Sequence, residues 1–166
     1  AVGRDINYSR VKIDSQYYWI ATERLHELDN YEYSVEVSCD GQNMIGGEYI
    51  PAYSEFEKEN IGKAFKLIHS DDTNTGSGSG LVSQAPSYGE SDFYCLKNAG
   101  ITVIVDPVTL AGKFDQSVAG LEDLNVKEAD NVIIKQLDDR GLLFSSKREM
   151  HSYPSVSYTH LTLPTT

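Results

Sequence analysis

The chain has 166 residues, 40% of them apolar, and a net charge of −11. That length suits one domain able to bury a real core, and the composition excludes a disordered tail. The longest apolar runs, such as Ile101 to Val105, are far too short to span a bilayer, and the acidic balance excludes a broad nucleic-acid-binding surface, because phosphate contacts need Lys and Arg.

In chain order, Tyr8 to Ile20 alternates imperfectly and is rich in β-branched and aromatic residues, with a turn at Asp14-Ser15; it reads as a hairpin. Thr22 to Leu28 predicts one or two helical turns, with Thr22 as cap and Leu25 and Leu28 on one face. Tyr31, Tyr33, Val35 and Val37 alternate strictly, the cleanest strand signal in the chain. Gly46-Gly47 marks a turn before Tyr49-Ile50-Pro51. Ser54 to Glu59 reads as a short charged helix, and Ala64 to His69 as a strand with Phe65, Leu67 and His69 on one face. Asp71 to Gly80 is a polar, Gly-rich loop, followed by a short strand at Leu81-Val82. Asp92 to Asn98 reads as a helix stopped by Gly100, and Ile101 to Val105 as a buried strand turned out by Asp106-Pro107. Asn125 with Glu128 forms a capping-box signature for a helix carrying Ala129, Ile133 and Leu137, closed by Gly141, before a strand at Leu142 to Phe144. Many short strands with a few helices predict a β-rich α+β fold, not an alternating parallel sheet.

The N-terminus shows no basic region followed by an apolar one, so no signal peptide is read there. Two cysteines, Cys39 and Cys95, make no disulfide framework and have no metal-ligand neighbours at useful spacing; a reducing cytoplasm is the default. His26, His69 and His151 are scattered, without the spacing of a metal helix, so no metal site is predicted. Gly76 to Gly80 lacks the Lys-Ser/Thr ending of a phosphate loop. Its N–H groups could cradle an anion, but on spacing alone a flexible linker is the better reading. Asp92, at the start of its helix, either complements the helix dipole or faces a pocket and binds an ammonium group.

Thr75 to Cys95 contains Gly-Ser-Gly-Leu-Val-Ser-Gln-Ala-Pro-Ser-Tyr-Gly-Glu-Ser-Asp-Phe. It resembles the stretch that isoleucyl-tRNA synthetases carry as Gly-Thr-Gly-(Ile/Val)-Val-His-Gln-Ala-Pro-x-(Phe/Tyr)-Gly-Glu-Asp-Asp-Tyr. Tyr18 to Leu25, Val126 to Ile134 with Arg140 to Leu143, and His151 to Pro154 resemble further segments of the same family in the same order. The resemblance covers residues 1–154 and favours the eukaryote-like branch. It implies the connective-peptide editing domain of a synthetase, a closed β-barrel with peripheral helices, cut at both ends. Residues 155–166 resemble an in-frame translation of a sequencing adaptor and are set aside from the fold.

The resemblance implies hydrolysis of valine wrongly esterified to isoleucine tRNA, inside a parent enzyme that joins isoleucine to tRNA with ATP. Asp92 matches the family aspartate that anchors the α-amino group of the misattached amino acid. Gly78, Ser79 and Gly80 match the glycine crossing beside the substrate, and Ser83, Gln84, Ala85 and Pro86 match the pocket wall. The implied partners are the 3′ end of aminoacylated tRNA(Ile) and the rest of the synthetase, with no membrane. No cofactor is implied in this segment; ATP and Mg would serve the catalytic domain elsewhere. Ser83 stands where the family usually has His, which is implicated in excluding isoleucine. The family's Thr-rich loop would precede Ala1. Valyl- or leucyl-type editing and a decayed, non-catalytic β-rich module are the competing readings.

Overall fold

The computed structural model describes residues 1–53, 55–56 and 64–146. Strand β1 (Asn7–Ile13) pairs antiparallel with β2 (Gln16–Ala21) on one side and β3 (Tyr33–Asp40) on the other, in the order β2-β1-β3. Ile13 faces Gln16, so the hairpin turn is Asp14-Ser15, as its residues predict. Asp14 takes φ 52°, a left-handed value that a short polar side chain tolerates.

Register divides the side chains of β1 between two faces. Tyr8, opposite Ala21 and Cys39, enters a core with Val2 and Met44. Val11 and Ile13 enter a second core with Ile20 and Leu28 on the opposite face. Ser9 is buried among them, but its hydroxyl is satisfied by Thr22 Oγ1 at 2.8 Å and Ser38 Oγ at 2.9 Å.

A 3-10 helix spans Thr22–Leu28 and buries Leu28, with Leu25 packed beside it. Thr22 is not its cap, contrary to the sequence reading. Ala21 holds that position without a side-chain bond, and the Thr22 hydroxyl donates instead to Asn7 Oδ1 at 2.7 Å. Strand β3 begins at Tyr33 rather than Tyr31, and Val35 and Val37 remain exposed. The strand forms where alternation predicts it. Its apolar residues stay open because β3 is an edge and a bulge between Arg10 and Val11 shifts its register.

The 64–69 segment is extended without becoming a strand of the sheet. Phe65 at φ 60° interrupts the period of two, leaving single bridges from Lys66 to Glu48 and from His69 to Val2. Leu81-Val82, 101–105 and 142–144 likewise form neither strand nor ladder. Among the described residues the sheet is therefore three-stranded and open, not the closed barrel that the resemblance implies.

Helix α1 (Glu90–Asn98) starts two residues before the sequence reading placed it, and Gly100 stops it at φ 74°. Helix α2 (Val126–Asp139) has the predicted capping box: Lys127 N–H donates to Asn125 Oδ1 at 3.1 Å and Asn125 N–H to Glu128 Oε2 at 3.3 Å. Ala129 of α2 joins Val118 and Leu121 in a third core, fringed by Tyr53, Phe114 and Ile133. The predicted helix at Ser54 to Glu59 falls largely outside the described residues, as do His151 to Pro154 and the tail from Ser155; residues 55–56 form a turn.

Candidate functional site

A cavity of about 750 Å³ opens between three irregular segments and β2. Leu81 to Pro86 forms one wall, Ile101, Val103 and Val105 another, and Phe65 to Ile68 a third; Trp19 of β2 closes one end. The alternation of residues 101–105 puts its odd-numbered members half-buried toward this space and leaves Thr102 and Ile104 exposed. The lining is largely apolar, and one of its residues, Gln84, has its Oε1 buried without a hydrogen-bond partner. Such an acceptor costs about 1–3 kcal/mol unless a ligand or water satisfies it. At the rim, Lys66 Nζ lies 3.6 Å from Glu48.

The Ala85-Pro86 turn is strapped to the opposite wall. Ser87 Oγ donates to Val105 O at 2.7 Å, and the Tyr88 hydroxyl donates to Asp106 Oδ1 at 2.9 Å. Partial burial, then the bond to Asp106, pushes the Tyr88 phenol up to about 12, so it remains a donor at neutral pH.

Asp92 is the third residue of α1 and is half-buried. Its Oδ2 accepts the Ala85 N–H at 2.9 Å, reaching back across the turn rather than capping the helix. The carboxylate therefore stands behind the Ser83-to-Pro86 wall and braces it. It does not itself line the cavity. Ser83, Gln84, Ala85 and Pro86 all do, so the structure brings these four together as the sequence reading groups them.

Gly78, Ser79 and Gly80 make their contacts elsewhere. Gly78 O accepts Arg24 Nε at 3.1 Å, Ser79 O accepts Ala21 N–H at 2.7 Å, and Gly80 O accepts the Tyr8 hydroxyl at 2.8 Å. Tyr8 in turn accepts the Gly3 N–H at 2.9 Å, so one buried phenol ties the first residues, β1 and the glycine loop together. A Cβ on Gly80 would lie 2.5 Å from Ala21 Cβ, and its φ is 75°. Only glycine permits that approach. The loop is thus a fastened crossing that delivers Leu81 to the cavity, not a free linker.

The remaining candidates have structural partners. His69 accepts Arg4 N–H at Nδ1 (3.2 Å) and pairs through Nε2 with Asp71 at 2.9 Å, in a second cleft of about 630 Å³ on the far side of the 66–68 segment. His26 Nδ1 lies 2.9 Å from Glu23 O. Cys39 and Cys95 are free thiols; burial pushes Cys95 up, and its Sγ donates to His69 O at 2.8 Å. Among the described residues no group of three or more His, Cys, Asp or Glu is placed to hold a metal ion, and no helix is long and apolar enough to cross a membrane. Trp19 and the 101–105 wall were not picked out as site residues from sequence. Their only signal was apolar periodicity, which any core strand shares.

Comparison with curated proteins supplies what geometry cannot. The chain is 32% identical to the isoleucine–tRNA ligase of Clostridium tetani over 157 residues, covering 93% of the chain and 15% of that enzyme. It is 36% identical to the isoleucine–tRNA ligase of Bdellovibrio bacteriovorus over 159 residues, and 31% identical to the cytoplasmic isoleucine–tRNA ligase of Saccharomyces cerevisiae over 163. The chain matches one segment of the isoleucine–tRNA ligases. It spans about 15% of the length of these relatives. No family model matches the chain. The match with isoleucine–tRNA ligases runs through nearly all of the chain, so the cavity walls, the glycine crossing and α1 sit within one continuous shared segment.

Proposed function

We propose that this segment is the editing module of an isoleucine–tRNA ligase, hydrolysing valine wrongly esterified to tRNA(Ile). The observation that carries the reading is the Ser83-to-Pro86 wall. It borders a largely apolar cavity, includes a buried acceptor without a partner, Gln84 Oε1, and is braced from behind by Asp92. An aliphatic aminoacyl ester has the matching chemistry: a small apolar side chain, an ammonium group and a labile carbonyl. Asp92 Oδ2 holds the Ala85 N–H, so the carboxylate serves the reaction by fixing the Ser83-to-Pro86 wall from behind rather than by touching the substrate. Water adds to the ester carbonyl, the bond from the acyl carbon to the ribose oxygen breaks, and the proton passes to that oxygen. The residues contribute by positioning and by excluding bulk water rather than by a covalent nucleophile.

The need for such a site is physical. One methylene gives too little binding energy to separate isoleucine from valine in a single pocket, the standard example of this limit, and a second pocket removes the smaller product. The partners are then the 3′ end of aminoacylated tRNA(Ile) and the remainder of the synthetase. ATP and Mg serve amino-acid activation outside this segment, and the compartment is the cytoplasm, as in the name of the yeast relative.

The test is deacylation of Val-tRNA(Ile) by a synthetase carrying this segment. Asp92→Ala is expected to slow hydrolysis about 100-fold through lost positioning. An unchanged rate removes Asp92 from the mechanism, and a wild-type enzyme that hydrolyses no Val-tRNA would leave a decayed module, the reading that Ser83 in place of His favours.

A further inference from the structure

Two walls of the cavity are held by different means. Leu81 to Pro86 is fixed at its turn: Ala85 donates its N–H to Asp92 Oδ2, and Ala85 O accepts the N–H of Tyr88 at 2.9 Å and of Gly89 at 3.0 Å. Residues 101–105 hang between their ends. Ile101 N–H donates to Leu96 O at 2.9 Å, and residues 102–104 have no hydrogen bond among the described residues. At the far end, two successive residues beyond one wall bond two successive residues of the other: Ser87 Oγ donates to Val105 O and the Tyr88 hydroxyl to Asp106 Oδ1. The next bond along the chain, Asp115 N–H to Pro107 O at 2.8 Å, joins residues that do not line the cavity.

We propose that the Tyr88–Asp106 bond, with Ser87–Val105 beside it, is a clasp that fixes the spacing of these walls, and that Tyr88 and Asp106 are therefore specificity-determining residues for the size of the aliphatic group the cavity admits. An apolar pocket separates two aliphatic side chains by volume, so it selects only if its walls resist being spread by the larger one. Ile101, Val103 and Val105 give one wall its apolar surface, and among the described residues no other hydrogen bond joins that wall to residues 81–88. Tyr88 itself lines the cavity, while its phenol remains a donor at neutral pH. The residue is 60% exposed, so water replaces the bond when it is lost and the fold survives; what changes is the freedom of the wall. The proposal rests on the editing reading for its two substrates but not for the clasp.

The experiment measures hydrolysis of Val-tRNA(Ile) and Ile-tRNA(Ile) by a synthetase carrying this segment, and acrylamide quenching of Trp19, the single tryptophan, in the chain itself. Partial unfolding lowers both rates together, so their ratio reads the opening alone. Tyr88→Phe keeps the ring and removes the donor. It should raise Ile-tRNA hydrolysis relative to Val-tRNA by about 10-fold, the low end of the roughly 10- to 200-fold that one methylene is worth in an apolar pocket, and open Trp19 to steeper quenching. Asp106→Leu should do the same, and the double variant should add nothing further, because both changes remove one bond. Asp106→Asn should keep the wild-type ratio, since an amide oxygen accepts the same bond. Additive effects in the double variant, or a ratio lost in Asp106→Asn, overturn the proposal. Val-tRNA hydrolysis with a ratio unaltered by Tyr88→Phe removes the clasp and leaves the editing reading standing. A wild-type enzyme that hydrolyses neither ester overturns the editing reading instead; the clasp then stands if Tyr88→Phe steepens Trp19 quenching and falls if it does not.

Discussion

Gln84 and Ser83 are neighbours on one wall and carry opposite expectations. Gln84 holds an unsatisfied buried acceptor, so Gln84→Leu removes a desolvation cost and should raise stability by about 1–3 kcal/mol in urea denaturation. The same change should weaken Val-tRNA hydrolysis, since Gln84 lines the cavity; a destabilised variant would show that Oε1 is satisfied in solution. Ser83 is small and exposed at the cavity. Restoring the imidazole with Ser83→His narrows that opening and should reduce hydrolysis of Ile-tRNA more than of Val-tRNA. Equal rates before and after would show that this position does not gate the pocket. The place of Asp92 at the helix start was legible in the sequence, and its proposed part in the site comes from the family resemblance alone. Its bond to Ala85 N–H was not legible, because that contact closes across seven residues of turn whose path no local propensity describes.

Among elements, the best-read were those whose stability is local. The hairpin, the α2 capping box and the Gly100 stop depend on neighbours a few residues away, and each stands where its residues predict it. The segments at 64–69, 81–82, 101–105 and 142–144 have strand-like composition and yet form no ladder, since a strand needs a partner and periodicity does not supply one. The glycine loop is the clearest case of tertiary override. Its composition reads as a linker, while Tyr8, Ala21 and Arg24 fasten its backbone. Gly80→Ala meets both a forbidden approach to Ala21 and a left-handed φ. We expect a loss of at least 1–3 kcal/mol, read from the urea midpoint, where an ordinary surface Gly→Ala change costs almost nothing.

At the scale of the whole molecule, the described residues form two cores on opposite faces of one sheet and a third around α2. That separation predicts separable stabilities. Asn125→Ala removes the α2 cap, worth about 1 kcal/mol, and should speed amide hydrogen exchange across residues 126–139 while leaving β1 unchanged. Uniform acceleration would mean that the three cores open as one. The family match and the contiguous Ser83-to-Pro86 wall could be read from residues alone, because motif order and turn chemistry are written along the chain. Which strands pair, that the sheet stays open among the described residues, and that residues 101–105 and Trp19 meet the wall around a cavity were decided only in three dimensions. Those contacts join positions tens of residues apart, and their energy comes from shared burial, which one segment viewed alone does not contain.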